Sequence, residues 1–306
     1  MSSSSLPVPG KRFVIGVPYA WLLLFFFLPF LILLYISFVD MGGDIHPFKP
    51  IWDTTTGVLQ LKYENYLSIF RTEEGEPLFR TLYVDAYLRS IGYALVTALL
   101  CLLIGYPFAY FIARAPESVR PALLLMVMLP FWTSFLLRVY AWKGLLADNG
   151  VINRFMMGVG LIAEPLQMLY TSVSMLVGMT YVYLPFMILP LYANLVKMDF
   201  RLLEAAYDLG TTPFKAFWLI TVPLSKAGII AGFMLVFIPC VGEFVIPSLL
   251  GGPGNLMIGR VVWDEMFTAN DWPKATALAV VMIALIVIPL AIYYHYTGER
   301  SEGGKA

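Results

Sequence analysis

Long apolar runs separated by short polar segments dominate the chain. Six of the runs are long enough to cross a bilayer as helices, which takes about 20 residues. They cover Val14–Phe38, Ile91–Ile112, Pro121–Leu137, Thr171–Val196, Ile229–Leu250 and Ala275–Tyr294. The runs are continuously apolar and not alternating, which does not fit the strands of a closed barrel. Because lipid offers the backbone no hydrogen-bond partner, the pattern predicts an all-α protein with six transmembrane helices.

The composition supports an integral membrane protein. Of the 306 residues, 59% are hydrophobic and 13% are charged, whereas a soluble domain carries about 25% charged residues. The formal net charge is zero, which leaves no basic surface of the kind that binds nucleic acid. Cys101 and Cys240 lie inside apolar runs and are predicted to be buried thiols. His46 and His295 are far apart in the sequence, so we assign neither a metal nor a bound cofactor to this chain.

The segments between the runs indicate the orientation. Lys11 and Arg12 precede the first run as in a signal peptide, but the apolar core is too long and no small-residue cleavage site follows it. If the N-terminus lies inside, the inner segments are shorter than the outer ones yet carry as many basic residues. The higher density of basic residues in the inner segments favours cytoplasmic termini. We therefore expect an N-terminal tail (1–12), a six-span domain (13–295) and a C-terminal tail (296–306).

The cytoplasmic segment 197–226 predicts two short helices joined at a glycine. Asp199 and Thr212 stand at capping positions, Gly210 ends the first helix, and Pro213 begins the second. One apolar stripe along the first helix follows helical spacing: Leu202, Ala206 and Leu209. Amphipathicity alone leaves two interpretations open, an interfacial connector or a docking element for a cytoplasmic partner.

The residue types in this segment match a known motif. Glu204-Ala205-Ala206 is followed by three residues, Gly210, nine residues and Ile220-Thr221-Val222-Pro223. This resembles the EAA loop of ABC importer permeases, whose pattern is E-A-A, three residues, G, nine residues, I-x-L-P. Val222 replaces the leucine of that pattern. The resemblance implies an ATPase-coupling role for Glu204, Ala205, Ala206, Gly210, Ile220, Val222 and Pro223.

Other stretches are similar to the permease subunits of putrescine/spermidine importers: 129–135, 148–153, 242–247, and 249–252 with 257–259. The resemblance covers about Phe13–Tyr294. It implies a core of five helices preceded by one additional helix, in the bacterial inner membrane. It also implies half of a translocation path that works by alternating access.

The same resemblance implies the partners. These are a second homologous permease subunit in a heterodimer, two copies of a cytoplasmic ATPase that uses ATP and Mg, and a periplasmic polyamine-binding protein. The chain contains no G-x-x-x-x-G-K-[ST] motif, so ATP hydrolysis is expected in the ATPase and not here. The chain is therefore predicted to be a transport subunit and not an enzyme.

Glu243 is the one acidic or basic residue within the bounds of the six runs. A charged side chain at the membrane centre costs about 2.5–3.5 kcal/mol, which makes it a functional candidate. Pro239 and Pro247 flank it and predict a break in the helix. Two interpretations stay open: Glu243 faces the substrate path and attracts an ammonium group, or it caps a helix or pairs with a neighbour.

Aromatic side chains near the outer ends of the runs are a second set of path candidates, because the face of an aromatic ring attracts an ammonium group. The set is Trp132, Tyr140 and Trp263, with Asp264 and Glu265 beside Trp263. An interfacial aromatic belt is the alternative for the rings, and a solvated loop is the alternative for the two acids. Arg138 would repel a polyamine, so we expect it to pair with an acid or to extend to lipid headgroups.

Two alternative functions stay open. The chain is a permease for another small solute if the binding protein selects one. A stand-alone secondary transporter is the alternative of a different class. Such a carrier would be expected to hold several charges within its spans, and it would not require a docking segment.

Overall fold

We describe the fold from a computed structural model, which describes residues 11–43, 47–52, 61–71 and 82–302. His46, residues 1–10 of the predicted N-terminal tail and residues 303–306 of the predicted C-terminal tail lie outside the described residues. The described part is helical and has no β-strand; Met41 and Phe48 form an isolated bridge. This confirms the predicted all-α class.

The helices are numbered in chain order. They are α1 (Lys11–Leu22), α2 (Leu28–Ser37), α3 (Glu64–Leu67), α4 (Leu82–Arg114), α5 (Arg120–Met128), α6 (Phe135–Leu146), α7 (Val151–Gly158), α8 (Ser172–Leu195), α9 (Arg201–Asp208), α10 (Pro213–Ala216), α11 (Val222–Leu224), α12 (Lys226–Val241), α13 (Ile258–Phe267) and α14 (Trp272–Glu302). Wider π-helical turns occupy Leu23–Phe27, Phe217–Thr221 and Pro247–Gly251, and a tighter 3₁₀ turn occupies Leu129–Trp132.

Three continuous helices in the described part are long and apolar enough to cross a membrane. They are Phe13–Ser37, Leu82–Arg114 and Ser172–Leu195, which correspond to the first, second and fourth predicted runs. Two bent helix pairs raise the number to as many as five. The stretch Trp272–Ile288 of α14 is also an apolar helix, shorter than these three.

The third run is not the single straight helix that its sequence predicts. It divides into Arg120–Trp132 and Phe135–Gly158, which meet at 85°. Thr133 and Ser134 between them are extended, with ψ of 153° and 137°. Pro130 has no backbone N–H to donate, and its carbonyl accepts the Thr133 hydroxyl at 2.7 Å. The extended backbone and these side-chain features interrupt the helical hydrogen bonds and produce the bend.

The fifth run is also interrupted. The helix α12 ends at Val241, and helical structure resumes only at Val245. The predicted break between Pro239 and Pro247 is thereby confirmed. A second bend of 69° separates Pro213–Leu224 from α12, so the fifth span begins at a sharp corner.

The described residues divide into two compact units, and residues 82–261 form one of them. Its centre is the mutual packing of α4, α8 and α12. A Cβ at Gly228 would lie 2.7 Å from the Asn194 Cβ, and one at Gly232 would lie 2.7 Å from the Met187 Sδ. The two glycines stand four residues apart on α12, so they let its backbone approach α8 closely.

The interior of this unit is apolar. Met187 and Leu191 on α8 are fully buried. Cys101 on α4 and Cys240 on α12 are also fully buried, as the sequence predicts. The Cys101 Sγ donates only a weak hydrogen bond to the Thr180 carbonyl, at 3.5 Å. Both thiols therefore act as small hydrophobic side chains.

The other unit, residues 1–81 and 262–306, combines the first and last helices. Within it, α14 packs against α2 and α3. Asn65 Nδ2 donates to the carbonyls of Ser37 and Val39 at 3.0 and 2.9 Å, which holds α3 to the end of the first span. Asp40 forms ion pairs with Lys62 and Lys49. The hydrogen bond from Lys62 is the main reason that the pKa of Asp40 falls to about 2.

Candidate functional site

The segment 197–226 forms a helix–glycine–helix elbow, which we call the elbow. Gly210 has φ of +81°, a conformation that side chains with a Cβ rarely adopt. The N–H groups of Gly210 and Thr211 donate to the carbonyls of Tyr207 and Ala206, both at 2.9 Å. This pair of bonds is a Schellman motif, which satisfies carbonyls left free at the end of α9. Gly210 therefore ends the first helix as predicted.

The predicted cap of the second helix is present, whereas the N-cap position of the first helix is Phe200, without a side-chain cap, and not Asp199. Thr212 accepts a hydrogen bond from the Lys215 N–H, and Pro213 is the first residue of α10. Asp199 Oδ1 accepts the backbone N–H of Arg201, where α9 begins. The Asp199 carboxylate also pairs with the Arg201 guanidinium at 3.1 Å, which lowers the pKa of Asp199.

The buried face of α9 differs from the predicted stripe. Ala206 is buried, but its partners are Leu203 and Ala216. Leu202 and Leu209 are exposed, and Leu209 exposes 87% of its surface. The predicted stripe of Leu202, Ala206 and Leu209 is therefore not the buried face: its two leucines are exposed, because the returning chain covers the Leu203 side of the helix.

Because the other face of α9 is buried, large apolar side chains are exposed on the elbow. We call them the elbow patch: Leu202, Leu209, Phe214, Trp218 and Leu219. Phe214 exposes 74% of its surface and contacts the Trp218 ring. Exposed apolar groups of this size are typical of surfaces that bind a partner or lipid.

The motif residues divide between the surface and the interior of the elbow. Glu204, Ala205, Gly210 and Pro223 are exposed. Ala206 is buried, while Ile220 packs against its cluster and Val222 is half-buried. The motif thus places some of its residues in the interior of the elbow and others on its accessible outer face.

An aromatic cluster fastens the elbow to α4. The Phe217 ring contacts Tyr106 edge to face at 5.3 Å and Tyr110 at 6.3 Å. Tyr110 also contacts Phe200, and the Arg114 guanidinium lies over the Tyr110 ring at 5.5 Å. A movement of the elbow must therefore displace α4 or separate these rings.

Tyr106 adds a buried hydrogen bond at the corner before α12. Its hydroxyl and the Ser225 Oγ lie 2.7 Å apart. Tyr106 is buried and Ser225 is almost fully buried. The bond joins α4 to the point where the chain turns by 69° into α12. Sequence reasoning did not find this pair, because the residues are far apart in the chain and neither belongs to the E-A-A motif that ends at Pro223.

Glu243 occupies the break that follows α12, and it is 9% exposed. Its Oε2 accepts the Tyr183 hydroxyl at 2.5 Å. Its Oε1 accepts the backbone N–H groups of Val245 and Ile246 at 3.0 and 3.4 Å. Glu243 therefore caps the helical turn that follows it, which is one of the two sequence interpretations. Tyr183 was not predicted, since no local pattern distinguishes it from the other tyrosines in the spans.

Two of the aromatic path candidates lie in the same unit as Glu243. Trp132 ends the 3₁₀ turn at the 85° bend and is exposed. Tyr140 is on α6 and exposes about half of its surface. Exposure at these positions fits either a path or an interfacial aromatic belt.

The remaining path candidates belong to the other unit. Trp263 is on α13, where its ring lies 4.3 Å from that of Phe267. Asp264 and Glu265 follow on the same helix and are half-buried. These two acids are therefore not free loop residues but part of a helix.

Arg138 behaves differently from the expectation. It is only 9% exposed, on the first turns of α6. Its guanidinium carbon lies 4.7 Å from the centre of the Phe131 ring. It forms no ion pair with a described residue, and its Nε and Nη1 find no hydrogen-bond partner there. The predicted acidic partner is therefore not seen among the described residues.

Several apolar spans, with an elbow that exposes large apolar side chains between two of them, define a polytopic membrane protein. Residues 105–299 match the model of the family described as "binding-protein-dependent transport system inner membrane component". The chain belongs to this family and is a multi-pass protein of the bacterial inner membrane. The predicted identity as an importer permease is thereby confirmed.

Curated relatives match nearly the whole chain. A spermidine/putrescine transport system permease protein of Haemophilus influenzae is 35% identical over 93% of this chain and 93% of its own length. Its counterpart in Escherichia coli is 36% identical over 90% of this chain and 93% of its own.

Solved structures share the fold. A bacterial ABC transporter for the import of the acidic polysaccharide alginate has 17% identity and a TM-score of 0.62, over 95% of this chain and 96% of the matched chain. A second structure, an alginate transporter in complex with an alginate pentasaccharide-bound periplasmic protein, has a TM-score of 0.63 at 17% identity, over 94% and 95% of the two chains.

Proposed function

We propose that the chain is a transmembrane permease subunit of an ATP-driven, binding-protein-dependent importer of polyamines such as putrescine and spermidine. The observation that carries this proposal is the 35–36% identity to spermidine/putrescine permeases over at least 90% of this chain. The absence of a P-loop motif from the sequence supports a separate ATPase and a chain that is not an enzyme. No cofactor is required in this subunit.

The proposed topology has six spans and two cytoplasmic ends. The three continuous helices and the two bent pairs supply five of the spans, and α14 supplies the sixth. Residues 1–12 and 296–306 are then cytoplasmic tails on either side of the span domain 13–295. The elbow lies on the same cytoplasmic side.

The proposed assembly has four kinds of partner. A second homologous permease completes the path in a heterodimer, two copies of an ATPase bind ATP and Mg beneath it, and a periplasmic protein delivers the polyamine. Membrane lipid surrounds the spans. The fold neighbour solved with a ligand-bound periplasmic protein supports the last protein partner.

The elbow is the proposed ATPase contact. The elbow patch offers apolar area to a cleft, and the motif residues Glu204, Ala205 and Gly210 lie on the accessible side. Because Phe217 and Ser225 bind α4 through Tyr106, a displaced elbow moves α4 with it. ATPase closure then biases the helices between inward-facing and outward-facing arrangements.

Glu243 is the proposed ammonium-binding residue of the path. A carboxylate has about four acceptor positions, and Tyr183, Val245 and Ile246 use three of them. One remains for a cation. Trp132, Tyr140 and Trp263 are proposed to contact the polyamine through their ring faces, with Asp264 and Glu265 attracting it by charge.

Reconstitution tests the proposal. The chain is inserted into proteoliposomes with its second permease and ATPase, and labelled putrescine and spermidine are offered with the binding protein. Uptake should require ATP hydrolysis and should be competed by unlabelled polyamine. ATP-dependent uptake of a different solute alone would favour a permease for another small solute. Transport by the chain alone, without ATP, would favour a secondary transporter.

A further inference from the structure

The stretch 148–153 borders an accessible cavity that lies outside the six predicted runs. Its volume is about 290 Å³, close to the lower end of the range of about 300–1,000 Å³ that is typical of small-molecule sites. The turn between α6 and α7 forms one wall, and the segment that leads into α8 forms the other. The lining residues are Ala147, Asp148, Asn149, Gln167, Leu169 and Tyr170. A cavity of this size fits a small ligand.

Asn153 on α7 holds the two walls together. It is fully buried. Its Nδ2 donates to the carbonyls of Ala147 and Leu166 at 3.3 and 2.9 Å, and its Oδ1 accepts the Leu166 N–H at 3.0 Å. Ala147 belongs to one wall, and Leu166 directly precedes Gln167 in the other. One buried amide therefore fixes the separation of the walls, so the cavity is a formed feature of the fold.

Tyr170 contributes an aromatic ring from a strained backbone position. Its φ is +62°, which is unusual for a residue with a bulky side chain. A Cβ at Gly252 would lie 2.5 Å from the Tyr170 carbonyl oxygen, so only glycine allows this close approach. Tyr170 is 47% exposed, and the Lys143 Nζ lies 5.7 Å from the centre of its ring. The ring thus already binds an alkylammonium group.

The other groups at the cavity also favour a cation. Asp148 supplies a carboxylate, and Asn149 and Gln167 supply amide oxygens. Ala147 is the C-cap of α6, and the end of a helix dipole at this position attracts positive charge. Among the ion pairs of the described residues, none joins Lys143 to Asp148. The cavity therefore combines a carboxylate, amide oxygens and a ring, which together suit an organic ammonium ion.

The cavity lies at the end of α8 that is opposite the elbow. α8 begins at Ser172, two residues after Tyr170, and its 24 residues extend about 36 Å before the chain reaches the elbow. In the proposed topology the elbow is cytoplasmic. The cavity then faces the periplasm, which is the side from which an imported solute arrives.

We propose that this cavity is a periplasmic site that binds one end of a polyamine, with Asp148 as the ionic partner of its primary ammonium group and Tyr170 as the aromatic contact. This inference rests on the proposed function and adds a second site to it, apart from Glu243. Lys143 competes with the ligand, because its own ammonium group occupies the Tyr170 ring. Such competition weakens binding, and a site that a solute must leave again requires weak binding.

Thiol labelling of the assembled complex in detergent tests the site. Gln167→Cys places a reporter thiol in one wall, and Leu161→Cys, at a position that is 72% exposed and outside the cavity, is the matched control. The native thiols of Cys101 and Cys240 are fully buried, so their background is small. Labelling of this chain by an uncharged maleimide is measured after the subunits are separated. Putrescine should slow the labelling of Gln167→Cys and leave that of Leu161→Cys unchanged.

Asn149→Cys is a second reporter, in the opposite wall, and it should be protected in the same way. Sodium chloride at equal ionic strength should protect neither reporter, because it screens charge without filling the cavity. If putrescine protects neither reporter, or protects Leu161→Cys to the same extent, the inference is wrong.

Two charge variants, each combined with Gln167→Cys, separate ligand binding from a change of shape. Asp148→Asn keeps the size of the side chain but removes its charge. The half-protecting putrescine concentration should rise about fivefold, which corresponds to about 1 kcal/mol. Lys143→Met keeps an apolar stem but removes the competing ammonium group, so that concentration should fall about threefold. A distorted cavity would not bind more tightly. An unchanged concentration in either variant contradicts the inference.

The labelling assay measures binding at the cavity and not import. If the complex imports no polyamine but putrescine still protects the reporters, the proposed function fails and the ammonium site stands. If the complex imports polyamines and putrescine gives no protection, the inference fails and the proposed function stands.

Discussion

At the residue scale, the charge of Glu243 is the feature that distinguishes its two roles. As a cap it needs only an acceptor oxygen, which glutamine also provides. As an ammonium site it needs the negative charge. We therefore expect Glu243→Gln to assemble normally but to lower polyamine uptake at low substrate about tenfold or more, since a hydrogen bond to a charged group is worth about 1.5–3 kcal/mol.

Tyr183→Phe is the matched variant for that measurement. It removes the hydroxyl that donates to Glu243 but keeps the carboxyl group and frees one acceptor position on it. Its uptake should fall less than that of Glu243→Gln. Unchanged uptake kinetics in Glu243→Gln, with normal assembly, would leave Glu243 a purely structural cap.

A second residue-scale prediction concerns Tyr106. Tyr106→Phe deletes the buried bond to Ser225 and should cost about 1 kcal/mol of stability. Tyr93→Phe is the control. Tyr93 is on the same helix as Tyr106, and its hydroxyl also forms hydrogen bonds, to Ser172 and Asn255. If Tyr106 couples the elbow to α4, only its variant should transport fewer polyamines per ATP hydrolysed. If both variants transport the same number of polyamines per ATP hydrolysed, the bond between Tyr106 and Ser225 is only a local contact.

At the element scale, two helix ends in this chain have the same geometry. Gly210 ends α9 with φ of +81°, and Gly160 follows α7 with φ of +73°. Each donates its N–H to the carbonyl three residues back, and neither has other atoms within 4 Å of an added Cβ. The two turns therefore respond alike to substitution, although only one is in the elbow.

This match gives a controlled test of docking. Proline fixes φ near −65° and has no N–H, so Gly210→Pro and Gly160→Pro should both disrupt their turns. We expect Gly210→Pro to lose most of its co-purification with the ATPase, because the elbow patch changes shape. Gly160→Pro should keep the ATPase. Retention in both variants would exclude the elbow as the main contact.

At the scale of the whole molecule, the Glu243 break depends on a close backbone contact. A Cβ at Gly259 would lie 2.3 Å from the Gly242 carbonyl oxygen and 2.8 Å from that of Glu243. Since both obstacles are backbone atoms, Gly259→Ala cannot be relieved by a side-chain rotation. Overpacking of this kind costs about 1–3 kcal/mol, and here it also displaces the Glu243 carboxylate.

Thermal unfolding in detergent, together with uptake, checks this expectation. Gly259→Ala should lower both the unfolding temperature and polyamine uptake. Gly92→Ala on α4, where an added Cβ meets no atom within 4 Å, should raise stability slightly or leave it unchanged. A Gly259→Ala protein as stable and active as wild type would show that the backbone at Gly242 and Glu243 can move away from residue 259 without loss.

Features that depend on neighbours in sequence were predictable. Apolar runs identify the spans because a bilayer requires about 20 apolar residues wherever they occur. The elbow follows from Thr212, Pro213 and Gly210, whose capping and left-handed preferences act within one helical turn. The break beside Glu243 follows from its flanking prolines.

The tertiary structure alone decided which distant groups meet. Tyr183 reaches Glu243 across 60 positions and Tyr106 reaches Ser225 across 119. Both contacts depend on how α4, α8 and α12 cross. The covered side of α9 and the burial of Arg138 likewise depend on what the returning chain packs against. Local propensity cannot specify them, because burial is a property of the surroundings that folding assembles and not of the residue itself.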